Sequence, residues 1–220
     1  MVKSARILYL YPSTTTFDLI DKISNSPLFH TYYDMPLQHI SANVLKVMKR
    51  GKGEEQLRAL MQHMKEMPNN FVRSTFIVGH PGETVDDFNE LCNYIKDYKF
   101  DRVNVFSYSD EDGTKAYELE EKVPQDIVDH RAEVLGNIIS DITNQKLQDE
   151  VGKEFEVVVD GESDEHEYLL SARKLSWAPD IDGEIYINDN EIAEKIKFGK
   201  IYTARVTEVS GDKLIATIIK

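Results

Sequence analysis

Apolar positions along the chain fall into two regimes. From residue 6 to about residue 150, short apolar runs alternate with helix-spaced stripes. Ile7 to Tyr11 is an apolar run closed by Pro12, which predicts a buried strand. Asp18 to Ser24 suits a short helix. Tyr32 to Met35 predicts a second strand, polar only at Asp34, and Pro36 ends it by forcing Met35 extended. Ser41 can cap a helix carrying Val44, Leu45 and Met48, and Lys49-Arg50-Gly51 stops it with cations and then glycine. Leu57, Leu60, Met61 and Met64 share one helix face. Phe71 to Val78 predicts a third strand. Thr84 caps a helix with Val85, Phe88, Leu91, Cys92 and Ile95 on one side. Val103 to Tyr108 predicts a fourth strand, and Val128, Arg131, Leu135, Ile138 and Ile142 stripe a long helix after Pro124.

Strands alternating with helices mean βαβ units and a parallel sheet, here with about four units. Past residue 150 the period becomes two: Phe155, Val157 and Val159 alternate along the chain, and Gly161, Gly183, Gly199 and Gly211 punctuate short strands. That spacing predicts a small β-barrel. The expected domains are therefore 1–146, α/β, and 147–220, all-β.

Composition narrows the picture. The chain has 220 residues, 41% hydrophobic and 30% charged, which excludes a disordered chain. Its apolar runs all fall short of the roughly 20 residues of a spanning helix. Acidic residues outnumber basic ones 39 to 26, a net charge of −13, which disfavours phosphate-binding roles. A single cysteine, Cys92, excludes a disulfide framework or a multi-cysteine metal site made by this chain alone. The N-terminus has no signal-peptide shape, so the expected location is the cytoplasm.

Ligands of parallel α/β folds bind beyond the carboxyl ends of the strands. Pro36 to Ser41, Gly79 to Thr84 and Tyr108 to Thr114 follow the last three predicted strands, and polar groups gather in each. Gly79 to Thr84 reads either as a simple strand-to-helix turn or as a loop where backbone approaches a ligand; the pattern alone favours the turn. Gln38 and His39 are either turn residues or orienting groups for a small polar ligand. His30, His63, His130 and His166 lack metal spacing, and Asp110-Glu111-Asp112 lacks calcium-loop spacing. Cys92, on an apolar helix face, reads as an inert core thiol.

Tyr33-Asp34-Met35-Pro36-Leu37-Gln38-His39-Ile40-Ser41, Leu45 to Arg50, Phe76-Ile77-Val78-Gly79-His80-Pro81-Gly82-Glu83-Thr84 and Phe106 to Thr114 resemble, in this order, the radical SAM methylthiotransferases. The β-rich tail is similar to that family's TRAM domain. Ala178-Pro179-Asp180-Ile181-Asp182-Gly183 and Pro36-Leu37-Gln38-His39 are similar to the RimO-type branch, which adds a methylthio group to an aspartate of a small-subunit ribosomal protein. The other branch modifies a tRNA adenosine. The resemblance implies a partial TIM-type barrel, S-adenosylmethionine and two 4Fe–4S clusters. It also implies that the cluster-binding cysteines precede residue 1, so that this chain is a C-terminal fragment, inactive alone. Thr75, where the wider superfamily often has glycine, and His80, commonly aromatic in this branch, depart from the pattern. By resemblance Ile77 contacts adenine through its backbone, Gln38, Ser41 and Arg73 are candidate polar contacts to the cofactor, and Gly79 is counted with them as cofactor-binding.

Two further readings stay open: a fragment of a tRNA adenosine methylthiotransferase, and a stand-alone binding module for ribosomal protein or RNA. From Gln145 to Lys220 there are ten basic and seventeen acidic residues, an excess matched to a basic ribosomal protein and not to tRNA. The same acidity would also serve solubility alone. Asp180 and Asp182 are the expected docking loop, with Trp177 beside it as either an apolar anchor or a plug of the barrel. Two missing strands would leave Ile7–Leu10 as an open sheet edge inviting self-association.

Overall fold

Alternating strands and helices build the first of two units, Met1–Ile142, and short, mostly antiparallel strands build the second, Thr143–Lys220. The computed structural model describes residue 2, residues 4–50 and residues 53–220. The expected stop at Gly51 lies outside the described residues.

In the first unit, β1 (Ala5–Ile7), β2 (Phe29–Asp34), β3 (Phe71–Val78) and β4 (Arg102–Ser107) form one parallel sheet in that order. The connections carry α1 (Phe17–Ser24), α2 (Ala42–Val47), α3 (Glu54–Glu66) and α4 (Val85–Tyr98), and α5 (Gln125–Gln148) follows β4. The first strand lies earlier than its apolar run suggests. Tyr9 takes φ 60, and its N–H donates to the Asp34 carboxylate at 3.2 Å. The Leu10 N–H donates to the Asp34 carbonyl at 2.7 Å. Leu8 to Tyr11 therefore leave the sheet, and the open edge is Ala5–Ile7 rather than Ile7–Leu10. The polar Asp34 inside an apolar strand has its explanation in the same contacts.

Burial along β3 alternates strictly. Val72, Phe76 and Val78 join Leu57, Leu60, Met61, Met64, Leu91 and Ile95 in the apolar layer between sheet and helices. Burying a side chain of this size is worth about 1.5–3 kcal/mol, so this layer supplies most of the unit's stability. Arg73, Thr75 and Ile77 point the other way and are half-buried. Register places them beside Arg102, Asn104 and Phe106 of β4. This second face mixes polar and charged residues with Ile77 and an exposed Phe106, unlike a sheet buried on both sides. It is the face on which the site is built.

The second unit is a closed barrel of β5 (Glu154–Glu162), β6 (Leu170–Lys174), β7 (Ile185–Asn190), β8 (Ile201–Ser210) and β9 (Lys213–Ile218) in the order β5-β6-β7-β9-β8, closed by β5–β8 pairing. Val157, Val159, Ile185, Leu214 and Ile218 fill it. Closure removes the exposed edges that five short strands would otherwise present.

Candidate functional site

A cleft of about 980 Å³ opens where β3 and β4 end, lined by Gln38, Ile77, His80, Ser107, Tyr108 and Ser109, with Lys49, Arg50 and Lys115 on its rim. Gln38 is fixed there by its backbone. Its N–H donates to the Thr75 carbonyl and its carbonyl accepts from the Ile77 N–H, both at 2.8 Å. This bridge holds Gln38 at φ 72, a left-handed conformation that disfavours a side chain by about 1 kcal/mol or more. The Ile77 N–H is thus already used, and Ile77 meets the cleft as an aliphatic wall. Arg73 lies four residues earlier on the same face, its Nε 3.9 Å from the Asp34 carboxylate. A second, smaller cavity of about 330 Å³ lies between Tyr11, Phe17, Leu37, Leu45, Leu57 and Leu60. Ser13, Thr15, Thr16 and Gln56 add hydroxyls and an amide to its walls, and Arg50 borders both this cavity and the cleft.

The turn after β3 explains its own glycine. Gly79 sits at φ +80, and a Cβ there would lie 2.4 Å from Val128 Cγ2. The Gly79 and His80 N–H groups both donate to the Glu83 carboxylate. Arg131 approaches Glu83 at 3.0 Å and donates to its backbone carbonyl at 3.1 Å, with both side chains nearly inaccessible. Burial pushes the Glu83 carboxyl up; the Arg131 guanidinium and the turn N–H groups pull the other way. Gly79 is buried, packed against Val128 of α5 and hydrogen-bonded to the Glu83 carboxylate.

Behind the cleft, Ser41 caps α2 and donates its hydroxyl to Asp87. Asp87 also accepts from Asn43 Nδ2 at 2.9 Å, from the Thr84 N–H at 2.9 Å and from the Thr84 hydroxyl at 2.7 Å. Burial pushes this carboxyl up, but the four hydrogen bonds outweigh it and hold the group down at about 2. One carboxylate thereby ties the starts of α2 and α4 together. Ser41, 2% exposed, works inside this knot and not on the cleft wall. His39 is fully buried, and its Nδ1 accepts from the Ser41 N–H at 3.0 Å. Burial lowers it to about 4, so it is neutral at physiological pH.

The cleft's outer wall is aromatic. The His80 ring meets Tyr108 edge-on at 5.1 Å, and burial lowers the imidazole's pKa. The Tyr108 hydroxyl donates to Asp110 at 2.7 Å, and Lys122 pairs with the same carboxylate. Partial burial and that acceptor push the phenol up to about 12. With neutral imidazole, neutral phenol, amide and hydroxyls, the cleft is built to bind and orient an amphipathic molecule rather than to exchange protons with it.

In the second unit, Asp180 is exposed at φ 65, while Asp182 is fully buried and accepts from the Ala178 N–H at 2.7 Å. Trp177 is 7% exposed, with the Lys174 ammonium 5.5 Å from its ring. Trp177 is thus buried in the turn after β6, and Ile181, 46% exposed, is the apolar residue the loop shows to solvent. Of the three expected docking residues, only Asp180 reaches the surface.

Sequence reasoning passed over Glu83, Asp87 and Arg131. A signal was present: Arg131 falls on the apolar stripe of α5, and a cation there needs a buried partner.

Residues 3–95 match the family model described as the radical SAM superfamily, and residues 151–219 match the TRAM domain. The chain is similar throughout to proteins named ribosomal protein uS12 methylthiotransferase RimO. The relative from Aliarcobacter butzleri (strain RM4018) is 67% identical over 221 residues, covering 100% of this chain and 50% of that protein. That from Sulfurovum sp. (strain NBC37-1) is 57% identical, covering 100% and 49%. That from Sulfurimonas denitrificans is 52% identical, covering 98% and 49%. The chain spans about half the length of the curated relatives it matches. Among solved structures, Escherichia coli coproporphyrinogen III oxidase (HemN), described as a radical SAM enzyme, aligns with TM-score 0.48 at 18% identity over 68% of this chain and 33% of that one.

Proposed function

We propose, for a chain that belongs to the radical SAM methylthiotransferases of the RimO type, that it forms the part of such an enzyme that seats S-adenosylmethionine and docks the substrate protein. The whole enzyme adds a methylthio group to an aspartate of the small-subunit ribosomal protein uS12, in the cytoplasm. The observation that carries this reading is the match along the full 220 residues to uS12 methylthiotransferases at up to 67% identity.

The cleft fits the organic cofactor. About 980 Å³ is ample for a nucleoside with its methionine arm. Ile77 offers an aliphatic wall, Tyr108 an aromatic one, and Gln38, Ser107 and Ser109 offer hydrogen-bonding groups in a frame that the Asp87 knot and the Glu83–Arg131 pair hold fixed. When bound, the cofactor supplies the radical chemistry; this chain's residues hold and orient it. The chain does not fit an iron–sulfur cluster. Each 4Fe–4S cluster takes several thiolates, and the one cysteine, Cys92, is buried on α4 with its pKa raised by that burial. Cluster ligands come from outside these residues, and the 220 residues alone transfer no methylthio group.

The acidic tail supports a basic protein partner over tRNA. The test is to titrate the chain with uS12 and with tRNA at low and physiological salt, and to assay iron and sulfide after anaerobic reconstitution. Binding of uS12 that weakens with salt, and no stoichiometric iron, is expected. Tight tRNA binding with uS12 ignored overturns the substrate; stoichiometric iron overturns the division of labour.

A further inference from the structure

The chain carries thirteen more acidic than basic side chains, yet Lys49, Arg50 and Lys115 border the cleft against a single carboxylate, Glu118. Lys49 comes from the turn after α2, held at φ 54, and Lys115 from the loop after β4. Neither ammonium makes an ion pair among the described residues. Arg50 is committed in part: one amine donates to the Pro36 carbonyl at 3.0 Å, and its guanidinium lies 5.5 Å from the Tyr11 ring centre. Val47, Met48, Ile77 and Leu119 supply apolar wall beside these cations. Lys49 and Lys115 are both exposed, so their ammonium groups are open to an incoming ligand.

We propose that Lys49 and Lys115 form a carboxylate-recognition site that selects the acidic side chain to be modified. The inference rests on the functional reading above and deepens it by assigning the substrate's recognition residues. An aspartate differs from asparagine by one charge, and its carboxylate adjoins the β-carbon. Two ammonium groups that fix the carboxylate also fix that carbon inside the cleft. The charge pattern then works at two ranges: the acidic surface attracts a basic protein, and the local excess of cations admits an acidic side chain from it.

The test uses the full chain and two fluorescent basic peptides identical except for a central Asp or Asn. At low salt the chain binds the Asp peptide roughly two- to fivefold more tightly, the range of one exposed ion pair. K49Q/K115Q loses this preference while its unfolding midpoint stays that of the parent chain. N-acetylaspartate competes with the Asp peptide better than inorganic phosphate does. Equal binding of the two peptides, an undiminished preference in the double variant, or stronger competition by phosphate overturns the assignment. Titration with uS12 in parallel separates the two claims. Binding of uS12 with no Asp preference sinks the lysine site alone, whereas binding of tRNA with uS12 ignored sinks the functional reading.

Discussion

Substituting Gly79→Ala tests whether the turn beneath the cleft is held by packing. Two costs arise from independent features. At φ +80 an alanine is strained by about 1 kcal/mol. The added Cβ also meets Val128 Cγ2, Cγ1 and Cβ at 2.4, 2.7 and 3.0 Å. Val128 is buried on α5 and must move, an overpacking cost of about 1–3 kcal/mol. The variant should lose about 2–4 kcal/mol. Val128→Ala removes both Cγ atoms but leaves φ and the 3.0 Å contact to Cβ, so in that background Gly79→Ala should cost mainly the strain, about 1 kcal/mol, and clearly less than in the parent chain. Urea unfolding followed by helical ellipticity reads the first unit, which holds nearly all the helix. Fluorescence of the sole tryptophan, Trp177, reads the second unit separately. Equal losses in the two backgrounds, or a loss below about 0.5 kcal/mol, would refute the packing argument.

Arg131→Met leaves Glu83 buried without its cation and should destabilise the first unit by about 3–5 kcal/mol. Because the Glu83 pKa is raised, the folded unit holds that proton more tightly; the variant's deficit should shrink as pH falls toward 4, measured by urea midpoints against pH. Asp87, held at about 2, stabilises the fold above its unfolded pKa of about 3.9, and that contribution of about 2 kcal/mol is lost as pH falls from 4 to 2. Asp87→Asn should lack that acid-dependent step. His39 titrates at about 4 when folded and about 6.5 when unfolded, so it should withdraw about 3 kcal/mol as pH falls through that window, visible as a slope in stability against pH. Cys92 should resist alkylation in the folded chain and react only on unfolding, as quantified by mass spectrometry.

The order of elements was legible because each has a local cause. Phe71–Val78 alternates and is bounded by turn residues, and Thr84 with Asp87 forms a capping box. The first strand was not legible, because its boundary depends on Asp34, a residue distant in sequence that draws Tyr9 and Leu10 away from the sheet. The sequence shows that Gln38 follows one strand and that Ile77 lies near the end of another. It does not show the pairing of their backbones, since a bridge between two strand ends is a tertiary fact.

Ser41 and Asp182 are buried for a shared reason. Both are polar residues at loop ends, where sequence cannot separate a side chain offered to a ligand from one consumed by its own backbone. Ser41 completes a helix start, and Asp182 closes the Ala178 turn. A short polar side chain satisfied by neighbours within a few residues needs no partner molecule, and burial then makes it unavailable to one. Lys49 and Lys115 differ on both counts: their charges have no local ion-pair partner among the described residues, and they border a cleft large enough for a ligand. A search for recognition residues in loops of this kind therefore gains more from long unpaired cations beside a cavity than from Ser, Thr or Asp at a helix or turn boundary.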